Sequence, residues 1–585
     1  MSISQNYPII NPSLSLDFAN TKALDSRITF SRPTDAVYYD GKTVTKAEEN
    51  LLTYSQEFDN AIWTKANSAT ITANSTTAPD GTTTADTFTL ASNISGAYQT
   101  QSVVSGQQYV FSVYAKQNTY AKLAMEQRQS SISTDAIFDI SAGTVIFGSG
   151  TITDVGNGWY RCSIVQTATD TSDLFILSGD TTAVSGDSIY LWGAQLEARD
   201  TVTAYQPTTT QPITNYIPTL LTAPANTARF DHNPVTGESL GLLVEEQRTN
   251  LALRSEEFDN ASWAKTRASI TPNTIVAPDG TLTGDKWVED TTASNTHTLV
   301  QNVTINNATV YSFSFYAKAA ERSLIRVNSP SIGVDLWFNL ATGLLQIPTL
   351  GTGTITPVGN GWYRIVATGT SNTTSGAATI FLSNGTTHIY TGDGYSGIYI
   401  WGAQLEAGAF PTSYIKTQAS QVTRSADSAS MTGTNFSDWY RQDEGTFYLE
   451  AQSDAPTVSG GNRFFLDVGA SGNAIALLTG LISSGQAGLY VQANSSQQAY
   501  IVPASSQLLS SGQKVAGAYQ TNSFQTANNG VLGIQDTSGI VPSVAIMYIG
   551  RVSTNTTSNY LAGHIKKLSY YPARLTNEQL QALTS

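Results

Sequence analysis

At 585 residues the chain is too long for one hydrophobic core, and the usual domain size divides it into about three or four domains. Only 13% of its residues are charged, against about 25% in an average soluble domain, and the net charge of -14 comes without a Lys/Arg stripe, which argues against nucleic-acid binding. Cys162 is the sole cysteine, so an intrachain disulfide framework is excluded, and no run approaches the ~18 apolar residues of a membrane span.

The beginning, MSISQNYP, has neither the cationic nor the apolar region of an export signal, so none is expected. Residues 1–49 read as an N-terminal arm, for attachment or for packing against a neighbour. From Asn50 a repeat begins. NLLTYSQEFDNAIW at Asn50–Trp63 returns as NLALRSEEFDNASW at Asn250–Trp263, and APDGT, YAK, VGNGWYR and WGAQLEA each recur 199 to 209 residues later. The lead-in repeats too, since Phe30 and Phe230, and Gly41 and Gly241, stand 200 apart.

Within each copy short alternating runs such as YVFSVYAK and VYSFSFYAK are separated by PDG and GNG turns, the pattern of antiparallel strands. The predicted fold class is all-β: two repeated jelly-roll sandwiches over 50–207 and 250–417, with a connector at 208–249 that repeats the arm. A linker at 418–444 leads to a third sandwich over 445–585, whose strands include EGTFYLEAQSD and KKLSYYPARL. Its end, LTNEQLQAL, predicts one short helix with Thr576 and Gln579 as a capping box. Trp439 and Tyr440 read as a plug at the edge of this domain.

The order FDNAxW, APDGT, GNGWYR, WGAQLE, twice over, together with SRPTDAVYYDG, FDHNPVTGESLGLLVEE and VTRSADSASM, resembles tail-fibre and virion-appendage proteins of tailed bacteriophages. The repeated modules resemble carbohydrate-binding jelly rolls, and 445–585 is similar to concanavalin-like or laminin-G-like lectin domains. That resemblance implies a virion protein, a tail fibre or capsid appendage assembled in the host cytoplasm. Its implied partners are other virion proteins and a host-surface glycan, and its implied state is a homotrimer in which multivalency strengthens weak sugar contacts. It also implies one structural calcium per module between first and last strands, with Glu57 or Asp59 and Glu197 as ligands in the first copy and Glu257 or Asp259 and Glu406 in the second. Capping and turn chemistry is the alternative reading, and it already accounts for Asp80 and Asp279.

Trp63/Trp263, Trp159/Trp362 and Trp192/Trp401 occur in both copies and are read as core anchors. Glycan contacts are sought in loop residues that differ between copies, Tyr98, Tyr120, Arg128 and Tyr395, and in the third domain around Asn462, Arg463, Asn473 and Asn494. His232, His297, His388 and His564 fit no metal or nucleophile spacing, and no catalytic motif occurs, so the chain is read as non-enzymatic. A polysaccharide-depolymerising tailspike needs only two carboxylates and stays open, as does a decoration protein that binds no sugar.

Overall fold

The alternating runs become strands with one face inward. In Lys122–Arg128 the residues Leu123, Met125 and Gln127 are buried while Lys122, Ala124, Glu126 and Arg128 face outward. The computed structural model describes residues 7–455, 462–470, 472–479, 487–504, 512–553 and 559–585. Among them the fold is all-β, a series of antiparallel β-sandwiches.

The first sandwich packs two six-stranded sheets. One runs Thr144–Gly148, Ser133–Asp139, Lys122–Arg128, Ser172–Ser178, Gly96–Ser102, Thr64–Ala66. The other runs Gly150–Gly156, Trp159–Thr167, Gln108–Gln117, Ser188–Glu197, Ala85–Thr89, Thr70–Thr76. The second sandwich repeats this topology strand for strand, from Leu344–Leu350 to Ala264–Thr266 in one sheet and from Thr352–Gly359 to Ala268–Ile275 in the other. The duplicated tryptophans lie in the interior, none more than 4% exposed. Trp63 and Trp263 pack tilted against Phe58 and Phe258 at the same 4.9 Å.

The third sandwich is assembled from segments far apart in the chain. Leu14–Asp17 and Ser239–Val244 both pair with Gly563–Tyr571, and Thr29–Ser31 pairs with Ser428–Thr432. Segments read from sequence as an arm (1–49), a connector (208–249) and a linker (418–444) thus supply strands to this domain, and Leu14, Leu16, Phe18, Leu242, Val244 and Met431 enter its core. Trp439 and Tyr440 close that core against Phe436, Phe447 and Tyr570. The helix Asn577–Thr584 carries the capping box of Thr576 and Gln579.

Buried charges lock the segments together. Arg32, Arg229 and Asp427 have wholly buried side chains, with Asp427 Oδ1 3.0 Å from Arg32 and Oδ2 2.6 Å from Arg229. Glu245 sits 2.8 Å from Arg229. Burial alone would raise the Glu245 carboxyl, but Arg424 and Arg229 outweigh it and hold the group well below its usual value. Ala36–Asn50, just before the first sandwich, and Ile213–Ala223, before the second, pair as a two-stranded ribbon.

Candidate functional site

The outer face of one sheet in the second sandwich gathers an aromatic and charged cluster. Strand Val334–Asn339 turns Val334, Leu336 and Phe338 inward and leaves Asp335, Trp337 and Asn339 half-buried on the outside. Register then sets the neighbours. Trp337 lies opposite Arg326 on one side and Ile347 on the other, and Arg326 lies opposite Phe381.

The Arg326 guanidinium is held in two planes at once. Its Nε and Nη2 each donate at 2.7 Å to the two carboxylate oxygens of Asp335, a bidentate pair, while Cζ lies 5.5 Å from the Trp337 ring centre and 5.8 Å from that of Phe381. His388 stands edge-on to Trp337 and Phe381, with centroids at 5.7 and 5.4 Å. Arg326 Nη1 is 2.8 Å from His388 Nε2 and 3.4 Å from Nδ1, so the guanidinium lies close against the imidazole. Burial first, and then the positive charge of Arg326, lower the His388 pKa.

The result is a half-buried indole on the outer sheet face, with the guanidinium of a fixed ion pair over its ring and an imidazole at its edge. Such a surface offers an apolar plane to the C–H face of a sugar ring and polar groups to its hydroxyls. Ile347 beside it is 54% exposed and Leu344 61%, so the apolar rim is open. In the first sandwich the same row reads Ser178, Ala124, Ile137, Phe147, with neither indole nor guanidinium.

The loop residues chosen from sequence are dispersed. Tyr98 and Arg128 share the outer face of the first sandwich, where Tyr98 lies opposite Ile176 and Arg128 pairs with Glu126. The Tyr120 hydroxyl donates to Asp180 and meets Thr182, and Lys122 sits 2.9 Å from Asp180. Tyr395 reaches from the second sandwich to Gly81 of the first. Arg463 lies 3.1 Å from Glu246 and over Phe410 in the junction with the third sandwich. Asn462 is half-buried beside it, and Asn473 accepts from the Asn494 backbone N–H at 3.0 Å.

Among the acids read as calcium ligands, Glu197 is wholly buried and accepts from the N–H and hydroxyl of Thr203 at 2.9 and 2.5 Å. Glu406 does the same with Thr412 at 2.9 and 2.6 Å. Glu57, Asp59 and Asp259 are exposed, and Glu257 pairs with Arg254 at 2.8 Å. Among the described residues no three His, Cys, Asp or Glu side chains converge as metal ligands would. The FDNA loop wraps an ammonium: Lys65 Nζ donates to the carbonyls of Asp59, Asn60 and Trp63 at 2.7, 2.7 and 2.9 Å, and Lys265 to those of Asp259 and Asn260 at 2.7 and 3.0 Å.

Trp337, Arg326, Phe381 and His388 were not singled out as a site from sequence. The signal was present in the strands: DAIFD at 135–139 becomes DLWFN at 335–339, placing tryptophan at an outward position of an otherwise matched alternation.

No protein-family model and no curated protein matches the chain. Among solved structures it is similar to the CBM40 module of Ruminococcus gnavus IT-sialidase bound to α2,3-sialyllactose, at 16% identity over 25% of this chain and 84% of that one, TM-score 0.21. It is also similar to the CBM22-1–CBM22-2 tandem of Paenibacillus barcinonensis Xyn10C, at 14% identity over 62% and 98%, TM-score 0.19. Domains LG4-5 of the mouse laminin α1 chain are similar at 11% identity over 48% and 87%, TM-score 0.17.

Proposed function

We propose that the chain is a non-catalytic glycan-binding protein whose principal sugar-binding surface is the outer face of the second sandwich. The observation that carries this reading is the outward, half-buried Trp337 ring framed by Arg326, Asp335, Phe381 and His388. The bidentate ion pair fixes the polar groups before a ligand arrives, which reduces the ordering cost of binding. The remaining sandwiches extend and orient this surface, and the ligand is a cell-surface glycan.

The resemblance of the repeat to phage tail-fibre proteins supports placing this surface on a virion appendage, where several copies engage a host surface together. The test is binding of the purified chain to a glycan array and to intact bacterial cells, with an assay for new reducing ends on the same samples. Saturable binding that is lost in Trp337→Ala, without released sugar, is the expected result. New reducing ends would replace this reading with a depolymerase, and the absence of any saturable binding would remove it.

A further inference from the structure

Each repeated sandwich has the same cleft, formed by the APDGT turn, the GNGW hairpin and the lysine of YAK. In the second sandwich this cleft is filled. The ribbon places Pro218 against Gly359 and Thr45 and Thr219 against Gly280, and the Leu220 N–H donates to the Pro278 carbonyl at 2.8 Å. Glu48 completes the contact: Lys318 Nζ lies 2.8 Å from Oε1 and Asn360 Nδ2 donates to Oε2 at 2.8 Å. Burial pushes the Glu48 carboxyl up, but Lys318 and Asn360 outweigh it and hold the group below its usual value.

In the first sandwich the counterparts are Lys116, Asn157, Gly81, Gly156 and Trp159, and the tryptophan anchors the cleft in the same way, donating to Thr77 O as Trp362 donates to Val276 O, both at 3.2 Å. Here the rim contacts come from the loop of the second sandwich, with Tyr395 against Gly81 and Gly394 against Gly156. That loop brings no carboxylate to Lys116: Asp393 gives only its backbone carbonyl to Asn157, at 3.3 Å, while its side chain is engaged by Arg322 and Ser396. Among the described residues Lys116 has no acidic partner, and it borders a cavity of about 160 Å³ lined also by Thr77, Pro79, Val155, Trp159 and Tyr395. Thr77 is exposed and Val155 half-buried, whereas Val276 and Val358 at the matching places are 3% and 4% exposed.

We propose that this cavity is a carboxylate-binding site that takes an acidic side chain of a partner protein, seated on Lys116 and Asn157 as Glu48 is seated on Lys318 and Asn360. The second sandwich supplies the template for ligand and geometry, and the unpaired ammonium supplies the driving force. The site is separate from the Trp337 face, so either proposal can fail without the other.

The probe is the capped peptide Lys-Ala-Glu-Glu, the sequence of residues 46–49, titrated into the full chain by saturation-transfer NMR up to about 10 mM, a range that covers weak single-contact affinities. Binding is expected to fall by about tenfold or more in Lys116→Gln, and equally with a peptide carrying Gln at the Glu48 position, since each removes one charge-assisted contact. Lys318→Gln, which touches the filled cleft, is expected to leave it unchanged. Equal binding to Lys116→Gln, sensitivity to Lys318→Gln instead, or no binding would overturn the proposal. So would Lys116-dependent binding of sodium glucuronate without binding of the peptide, which would make the occupant an acidic sugar. An unchanged thermal midpoint of Lys116→Gln confirms that the variant is folded.

Discussion

Ile137 and Trp337 occupy the same place in the two sandwiches, each the outward residue of the second strand from the sheet edge, Ile137 opposite Ala124 and Phe147 and Trp337 opposite Arg326 and Ile347. The duplication therefore carries its own control. Trp337→Ala is expected to weaken glycan capture by at least about tenfold, as truncation of a central aromatic anchor does, while Ile137→Ala leaves it unchanged. The indole is only half-buried, so the thermal midpoint of Trp337→Ala should fall less than for a core tryptophan such as Trp263. Array binding and thermal unfolding of the two variants check both halves.

Asp335 neutralises Arg326 through two 2.7 Å bonds. Asp335→Asn removes the negative charge and leaves the guanidinium unbalanced on the same face. Binding of neutral glycans should weaken because Arg326 loses its fixed orientation, whereas binding of anionic glycans should strengthen at low salt and lose that gain near 0.5 M, where the Debye length is only about 4 Å. Affinity measured at two salt concentrations with a neutral and an anionic glycan distinguishes this from a general loss of structure.

Asp427 is the acid on which the segments converge, bound to Arg32 from before the first sandwich and Arg229 from between the two. Asp427→Ala leaves the buried Arg32 guanidinium without its acid and Arg229 with Glu245 alone, and is expected to cost about 3–5 kcal/mol in denaturant unfolding. Asp443→Ala breaks only its pair with Arg441, whose two side chains are 69% and 46% exposed, and should cause no measurable change.

The repeat and its short alternating strands were legible because both are local or periodic signals, and the structure adds that the two copies agree in strand order. The assembly of the third sandwich was not. Leu14–Asp17 is four residues long and its partner lies at Lys567–Tyr570, so no local pattern marks the pairing. Arg32 and Asp427 likewise read as ordinary polar residues of SRPTDA and RSADSAS until the fold brings them within 3.0 Å. For the proposed binding face the sequence reading favoured variable loops, whereas the difference on which the proposal rests lies in a strand, at an outward position with isoleucine in one copy and tryptophan in the other.

The lysine wrapped by each FDNA loop invites a test of what holds that loop. Lys265 Nζ already supplies the positive charge to the carbonyls of Asp259 and Asn260. Lys265→Met should cost about 1–3 kcal/mol, the range for leaving polar groups without their charged partner, and EDTA should leave the thermal midpoint of the native chain unchanged. A midpoint that drops on chelation and recovers with added calcium would instead support the metal sites implied by the family resemblance.

Asp86 and Asp285 give the fold a pH dependence of defined sign. Each is 1% exposed and accepts two backbone N–H groups, Asp285 from Phe258 and Asn273 at 3.0 Å. Burial outweighs those bonds and pushes Asp86 up to about 6 and Asp285 up to about 7, from 3.8. A folded-state pKa above the unfolded value means that the native state holds the proton more tightly. This contribution is fully present below about pH 4 and is lost as pH rises through about 6 to 7. Asn at position 285 does not titrate, so the stability advantage of the native chain over Asp285→Asn should grow by about one to a few kcal/mol as pH falls from 8 to 5. Unfolding curves of both proteins across that range measure it, and parallel profiles would mean that the Asp285 carboxyl is ionised throughout.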